Sequence, residues 1–145
     1  MTIEDIALQM TPGIGPKGAV HLLEQFGDAR SVFAATAGEL TGKAELRPEL
    51  VQQIVRRKGF SAAEKELAYC RRNGIAAIAS TDPEYPPLLR EIPDYPHVIY
   101  VRGNVEALSA RCVSVVGTRE ATPYGQTACN RIVEGLAERV RSEEH

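Results

Sequence analysis

A chain of 145 residues has room for one ordinary domain or two small ones. Its 43% apolar and 25% charged residues exclude a disordered tail, and its formal net charge of −2 excludes a protein that is basic throughout. Contact with nucleic acid would therefore have to come from a local positive patch. No run approaches the roughly 18 apolar residues that span a bilayer, and the opening MTIEDIALQM is no secretory signal. The expectation is a cytoplasmic protein with no membrane contact.

Residues 1–60 read as all-helical. Ile3, Ile6, Ala7 and Met10 recur at helical spacing before the breaker Thr11-Pro12-Gly13. A second helix opens at Pro16, whose missing N–H would be unpaired at a first helical position anyway. Its stripe is Ala19, Leu22, Leu23 and Phe26, and Gly27 stops it. Ser31 is placed to cap a short helix carrying Val32 and Phe33. A last helix, Pro48 to Lys58, sets Leu50, Val51, Ile54 and Val55 on one face, with Gly59 as its end.

From Ser61 the pattern alternates. Ser61 and Glu64 have capping-box spacing for a helix that runs to Asn73-Gly74. Ile75 to Ala79 reads as a buried strand, and residues 81–96 as a proline-rich loop around a short helix at Leu88 to Ile92. His97 to Arg102 is a second strand, and Arg111 to Val116 a third, rich in β-branched residues. A loop over residues 117–123 leads to a helix whose face is Cys129, Ile132, Val133, Leu136 and Val140. The interleaving predicts an α/β fold, with a helical domain at 1–60 and a parallel-sheet domain at 61–145.

Cys70, Cys112 and Cys129 match neither a zinc pattern nor a disulfide framework, so reduced thiols are expected. His21, His97 and His145 are scattered, so no metal and no cofactor is expected. Asp82, Glu84 and Asp94 sit in the proline-rich loop, where they serve as turn residues rather than acids or bases. No catalytic residue is assigned.

Two constellations carry chemistry. In Pro12-Gly13-Ile14-Gly15-Pro16-Lys17, two glycines between helices make a tight turn. Gly13 and Gly15 serve first as a packing corner; the second reading is a phosphate-holding hairpin, with Lys17 adding charge. It resembles the helix-hairpin-helix motif from Ile6 to Phe26. The other constellation is Val116-Gly117-Thr118-Arg119 with Thr122-Pro123-Tyr124-Gly125. There a strand ends in a glycine and a helix begins, the place where open α/β sheets bind ligands. Gly117 admits a close backbone, Thr118 offers a hydroxyl, and Arg119 a planar fork for phosphate or base. The N–H groups at Tyr124 and Gly125 add capacity for an anion, and Arg102 extends the patch or forms an ion pair at its turn. Tyr124 is expected to lie beneath the loop, with base stacking as the alternative. Neither a dinucleotide fingerprint nor a P-loop is present. Arg56, Arg57, Lys58, Arg71 and Arg72 are read as solvated helix ends.

Tyr85-Pro86, Leu88-Leu89, Pro93-Asp94, Pro96, Tyr100-Val101-Arg102-Gly103-Asn104, Val115-Val116-Gly117-Thr118-Arg119 and Thr122-Pro123-Tyr124-Gly125 resemble, in order and spacing, the DNA processing protein A family (DprA, also called Smf). The resemblance implies a sterile-alpha-motif-like helical domain followed by a Rossmann-like domain. It also implies a non-enzymatic mediator of natural transformation that binds single-stranded DNA, dimerises and helps load the recombinase RecA. The G-[ST]-R motif, here Gly117, Thr118 and Arg119, would hold the DNA. The family pattern runs on past one helix after that loop, so the resemblance further implies a truncated Rossmann-like part with an open sheet edge prone to association. Two other functions stand beside this one. The helical domain could act alone as a protein-interaction module. A nucleotide-processing enzyme is the other, although the Pro-Gly-Gly-x-Gly-Thr-x-x-Glu signature of phosphoribohydrolases is absent from the sequence.

Overall fold

The computed structural model describes residues 1–110 and 113–143, and of residues 138–143 the backbone alone. The chain forms two units, Met1–Ala110 and Arg111–His145. The first is a helical layer joined to a strand pair. Its helices are α1 (Ile3–Gln9), α2 (Pro16–Phe26), α3 (Ala29–Ala34), α4 (Ala37–Gly42), α5 (Pro48–Val55) and α6 (Phe60–Asn73). Strands β1 (Ile75–Ala79) and β2 (Val98–Arg102) follow, with short 3₁₀ turns at Pro87–Glu91 and Val105–Ser109.

Most of these elements begin and end on local signals. Pro16 opens α2, and Gly27 closes it at φ 92°. Gly74, at φ 61°, ends α6 in the left-handed conformation that a glycine adopts without strain. Four boundaries differ from the sequence reading. Asp28, not Ser31, caps α3, its carboxylate accepting the Ser31 N–H at 2.7 Å. Thr36 and Glu39 form a reciprocal capping box on α4, a helix absent from the reading above. Helix α6 starts at Phe60 with Gly59 as its N-cap, so Ser61 lies inside it and caps nothing.

The fourth difference is the end of α5. The helix stops at Val55 and turns through Arg57 at φ 52°, with Lys58 N–H on the Gln53 carbonyl (3.1 Å) and Arg57 N–H on that of Ile54 (2.9 Å). This is a Schellman ending with arginine where glycine is usual. Gly59 is needed for a different reason: a Cβ there would lie 2.1 Å from the Ala7 carbonyl oxygen. It lets the start of α6 sit against α1.

Helix α1 has a core on either side. Leu8 joins Ile14, Leu22, Leu40, Val51 and Ile54 in the helical core. Ile6 and Ala7 pack instead with Ala63 of α6 and Val98 of β2. Each such fully buried Leu or Ile contributes about 1.5–3 kcal/mol. Residues on both sides of position 60 thus share one packed unit.

β1 and β2 pair antiparallel, Ile75 opposite Arg102 and Ala79 opposite Val98, whereas the sequence pattern predicts a parallel sheet. A parallel pair needs a crossover, usually helical. Here residues 80–97 fold back on themselves instead. The Ser80 N–H donates to the His97 carbonyl at 2.7 Å, the Asp82 carboxylate accepts the Ala79 N–H at 2.8 Å, and the buried Tyr85 hydroxyl donates to the Pro96 carbonyl. Of the expected third strand, Arg111 and Cys112 lie outside the described residues, and Val113–Val116 form no strand. Their β-branched side chains favour an extended backbone, but a ladder needs a partner, and within this unit they are accompanied only by helix α7 (Pro123–Glu143).

Candidate nucleic-acid interface

In the second unit Val113–Val116 lead without regular secondary structure into the Gly117 loop, and α7 starts six residues after Gly117. Pro123 occupies the first helical position. Thr122 caps the helix, its hydroxyl oxygen accepting the Gly125 N–H at 3.1 Å and its carbonyl accepting that of Gln126 at 3.0 Å. The loop and the first turns of α7 enclose an open groove of about 510 Å³, lined among others by Val116, Gly117, Thr118, Thr122, Gly125 and Cys129.

Around this loop the predicted residues divide. Gly117 has open space where a Cβ would stand, so no neighbour in the fold demands a glycine there. Arg119 is exposed and takes part in none of the ion pairs among the described residues. Thr118 is exposed, but its hydroxyl donates to the Glu120 carbonyl at 3.0 Å, bracing the loop rather than offering a free donor. The Gly125 N–H is likewise engaged by Thr122. Tyr124 is 83% exposed, so the expectation that it lies beneath the loop is wrong: at the second position of α7 its ring projects from the helix start. An exposed arginine in the loop and an exposed aromatic at the helix start are the two groups a single strand needs, a charge for a phosphate and a face for a base.

Arg102 and the hairpin belong to the other unit. Arg102 is exposed at the end of β2, before Gly103 at φ 112°. In the hairpin, Gly13 is at φ 83°, and a side chain there would meet Leu50 Cδ2 at 2.7 Å. The packing corner therefore accounts for Gly13. It does not account for Gly15, which is extended (φ −88°, ψ −179°) with open space around it. Lys17 is exposed on the first turn of α2.

One constellation was not read from the sequence. Asp5, His97 and Ser80, only 6%, 1% and 7% exposed, form a hydrogen-bonded chain. His97 Nε2 lies 3.0 Å from Asp5 Oδ1, and Ser80 Oγ lies 2.8 Å from His97 Nδ1. Burial pushes the Asp5 carboxyl up, but hydrogen bonds from His97 and from the Thr2 backbone and hydroxyl outweigh it and hold the group below the ordinary aspartate value. The residue types are those of a nucleophilic triad, yet the Ser80 side of the chain is buried, while Asp5 and His97 border two separate small cavities, of about 190 and 240 Å³, rather than one shared cleft. It works as a clamp. Together with Gln9, whose Oε1 accepts the Val98 N–H at 2.7 Å, it ties α1 to the start of β2. No local signal announces a pairing across 92 positions. Asp82 behaves as a turn residue, binding the Ala79 N–H and the terminal amine of Met1.

Cys70 and Cys129 are free thiols, while Cys112 and His145 lie outside the described residues. His21 is held at 3.1 Å from the Ala44 carbonyl. No group of metal-binding side chains occurs among the described residues, and no helix among them is long and apolar enough to cross a membrane.

A helical layer with a small antiparallel sheet, and a second unit led by an open glycine–arginine loop, define a mixed α/β protein. Residues 76–141 match the sequence model of the family described as DNA recombination-mediator protein A. The chain is 35% identical over 71 residues to the DNA processing protein DprA of Bacillus subtilis (strain 168), covering 48% of this chain and 24% of that protein. It is 28% identical over 123 residues to the putative DNA processing protein DprA of Mycobacterium tuberculosis (strain ATCC 25618 / H37Rv), covering 76% and 32%. To the protein Smf of Synechocystis sp. (strain ATCC 27184 / PCC 6803 / Kazusa) it is 25% identical over 138 residues, covering 90% and 34%. The chain thus matches between a quarter and about a third of the length of these relatives. No solved structure matches it significantly. Over residues 76–141 the chain is thus similar to the DNA processing protein A (DprA/Smf) family.

Proposed function

We propose that this chain is part of a single-stranded-DNA-binding recombination mediator, one that acts in the cytoplasm during natural transformation, helps load RecA and carries out no catalysis itself. In this reading residues 1–60 are the family's helical, sterile-alpha-motif-like domain. Residues 61–145 are the first part of a Rossmann-like DNA-binding domain, which forms a homodimer in the full-length protein. The strand meets the chain at Gly117, Thr118, Arg119, Tyr124 and Gly125, with Arg102 as a further cation. The hairpin at Gly13, Gly15 and Lys17 is a separate phosphate contact.

The observation that carries this reading is the Gly117 loop, with an exposed Arg119 that enters none of the ion pairs among the described residues and an 83% exposed Tyr124 on the first turn of α7. The relatives' printed names, DNA processing protein and recombination mediator, support the same class. The burial of Ser80, which is 7% exposed, weighs against its serving as the nucleophile of a hydrolytic enzyme. Titration of a fluorescent single-stranded oligonucleotide at several salt concentrations, with Arg119→Ala in parallel, tests the reading. Binding should weaken with salt, and loss of Arg119 should lower the magnitude of the log K against log salt slope by about 0.7, the contribution of one phosphate on a single strand. A substituted chain that titrates like the parent refutes the site.

A further inference from the structure

The hairpin does not stand alone on its surface. Gly13 packs against Leu50 of α5, and Gly59 packs against Ala7 and Thr11, the residue that opens the hairpin. The hairpin therefore lies along α5, from its first turn to the α5–α6 corner. Helix α2 closes the other side. His21 reaches the Ala44 carbonyl, and Lys17 lies one turn earlier on the same helical face. Around this contact the chain carries Lys17, Arg47, Arg56, Arg57 and Lys58, all exposed, with Glu45 and Glu49 as the acids beside Arg47.

The ion pairs found among the described residues are Met1–Asp82, Arg30–Glu4 and His97–Asp5, so none neutralises these cations. In a chain of net charge −2, the hairpin and both ends of α5 thus carry exposed cations. Arg57 adds a second observation. It holds φ 52° at a helix end where glycine would be unstrained, so the sequence keeps a cation at a backbone cost. Its guanidinium covers the Phe60 ring at 4.9 Å, as the Lys43 amine covers Phe26 at 4.9 Å. With both rings capped by cations, the face offers point charges and not stacking platforms. That is the chemistry of a regular phosphate backbone rather than of splayed bases.

We propose that the hairpin and the α5–α6 corner together form a second nucleic-acid surface, one that takes the phosphate backbone of duplex DNA without reading sequence. It is independent of the single-strand loop at Gly117. The residues added to the hairpin are Arg47, Arg56, Arg57 and Lys58.

The test is fluorescence anisotropy of the whole chain with a 20-base-pair duplex over a salt series, using the parent, R56Q/K58Q, R57G and R119A. Removing two phosphate contacts should weaken duplex binding about tenfold and lower the magnitude of the salt slope by about 2. R57G should also weaken it while the thermal midpoint holds, because glycine relieves the strained backbone. R56Q/K58Q should bind a single-stranded oligonucleotide like the parent while R119A loses it, which separates failure of this surface from failure of the single-strand site. Duplex binding unchanged in R56Q/K58Q and R57G would overturn the proposal, as would no duplex binding by the parent. Equal competition by polyglutamate of matched charge would overturn it too, assigning the face to acidic protein segments.

Discussion

Removing the Asp5 carboxylate should cost this fold more than any surface change, because Asp5 has two structural roles. It accepts His97 Nε2 at 3.0 Å in a buried setting, and it accepts the Thr2 N–H and hydroxyl at the start of α1. Asp5→Ala leaves a buried imidazole N–H without a partner, at about 1–3 kcal/mol, and removes a helix-start contact worth about 1 kcal/mol. The expected loss is about 2–4 kcal/mol, roughly 8–16 °C in the melting midpoint of a unit this size. Asp5→Asn keeps an oxygen acceptor and should lose less. Urea unfolding followed by circular dichroism reads both, with the midpoint falling and the m-value unchanged.

The pH dependence follows from the lowered Asp5 value. A carboxyl depressed in the folded state contributes stability that is complete above its unfolded pKa, about 3.9, and is lost as pH falls through the lower folded value. The gap between the parent and Asp5→Asn should therefore be constant from pH 7 to about 5 and close below pH 4. An Asp5→Ala loss under about 0.5 kcal/mol, or a gap indifferent to acid, would refute the clamp.

Three other outcomes follow from single contacts. Gly59→Ala places a Cβ 2.1 Å from the Ala7 carbonyl oxygen and should destabilise by about 1–3 kcal/mol, readable in the same urea titration. Tyr100→Phe should be neutral or stabilising by up to about 1 kcal/mol, because the Tyr100 hydroxyl is buried without a hydrogen-bond partner and its pKa is pushed up to about 12, chiefly by burial. Tyr124→Ala should leave stability unchanged, since the ring is exposed, while weakening single-strand binding by about 1–3 kcal/mol in an anisotropy titration.

What could be read from the sequence was local. Pro16, Gly27 and Gly74 each act through the backbone of their own turn, and the helix and strand limits beside them follow directly. Thr36 and Glu39 have the spacing of a capping box, so α4 was within reach of the same reasoning. Arg57 was not: a left-handed helix end written with arginine gives no glycine signal, which moved the expected end of α5 to Gly59. The strand pairing was misread because alternation of helix and strand fixes no direction. That direction is set by the Ser80–His97 and Ala79–Asp82 bonds that close residues 80–97 into a loop. The Gly117 loop was found by its motif, but the outward pose of Tyr124 and the Thr118–Glu120 bond depend on three-dimensional placement. The Asp5–His97–Ser80 clamp depends on it entirely.

The central claim is that single-stranded DNA lies on the Gly117 loop. The most direct test is photocrosslinking of the chain to a 5-iodouracil single-stranded oligonucleotide, with the modified peptide identified by mass spectrometry. Crosslinks on residues 117–125, Tyr124 foremost, are the predicted result. Crosslinks confined to Met1–Ala110 would contradict it.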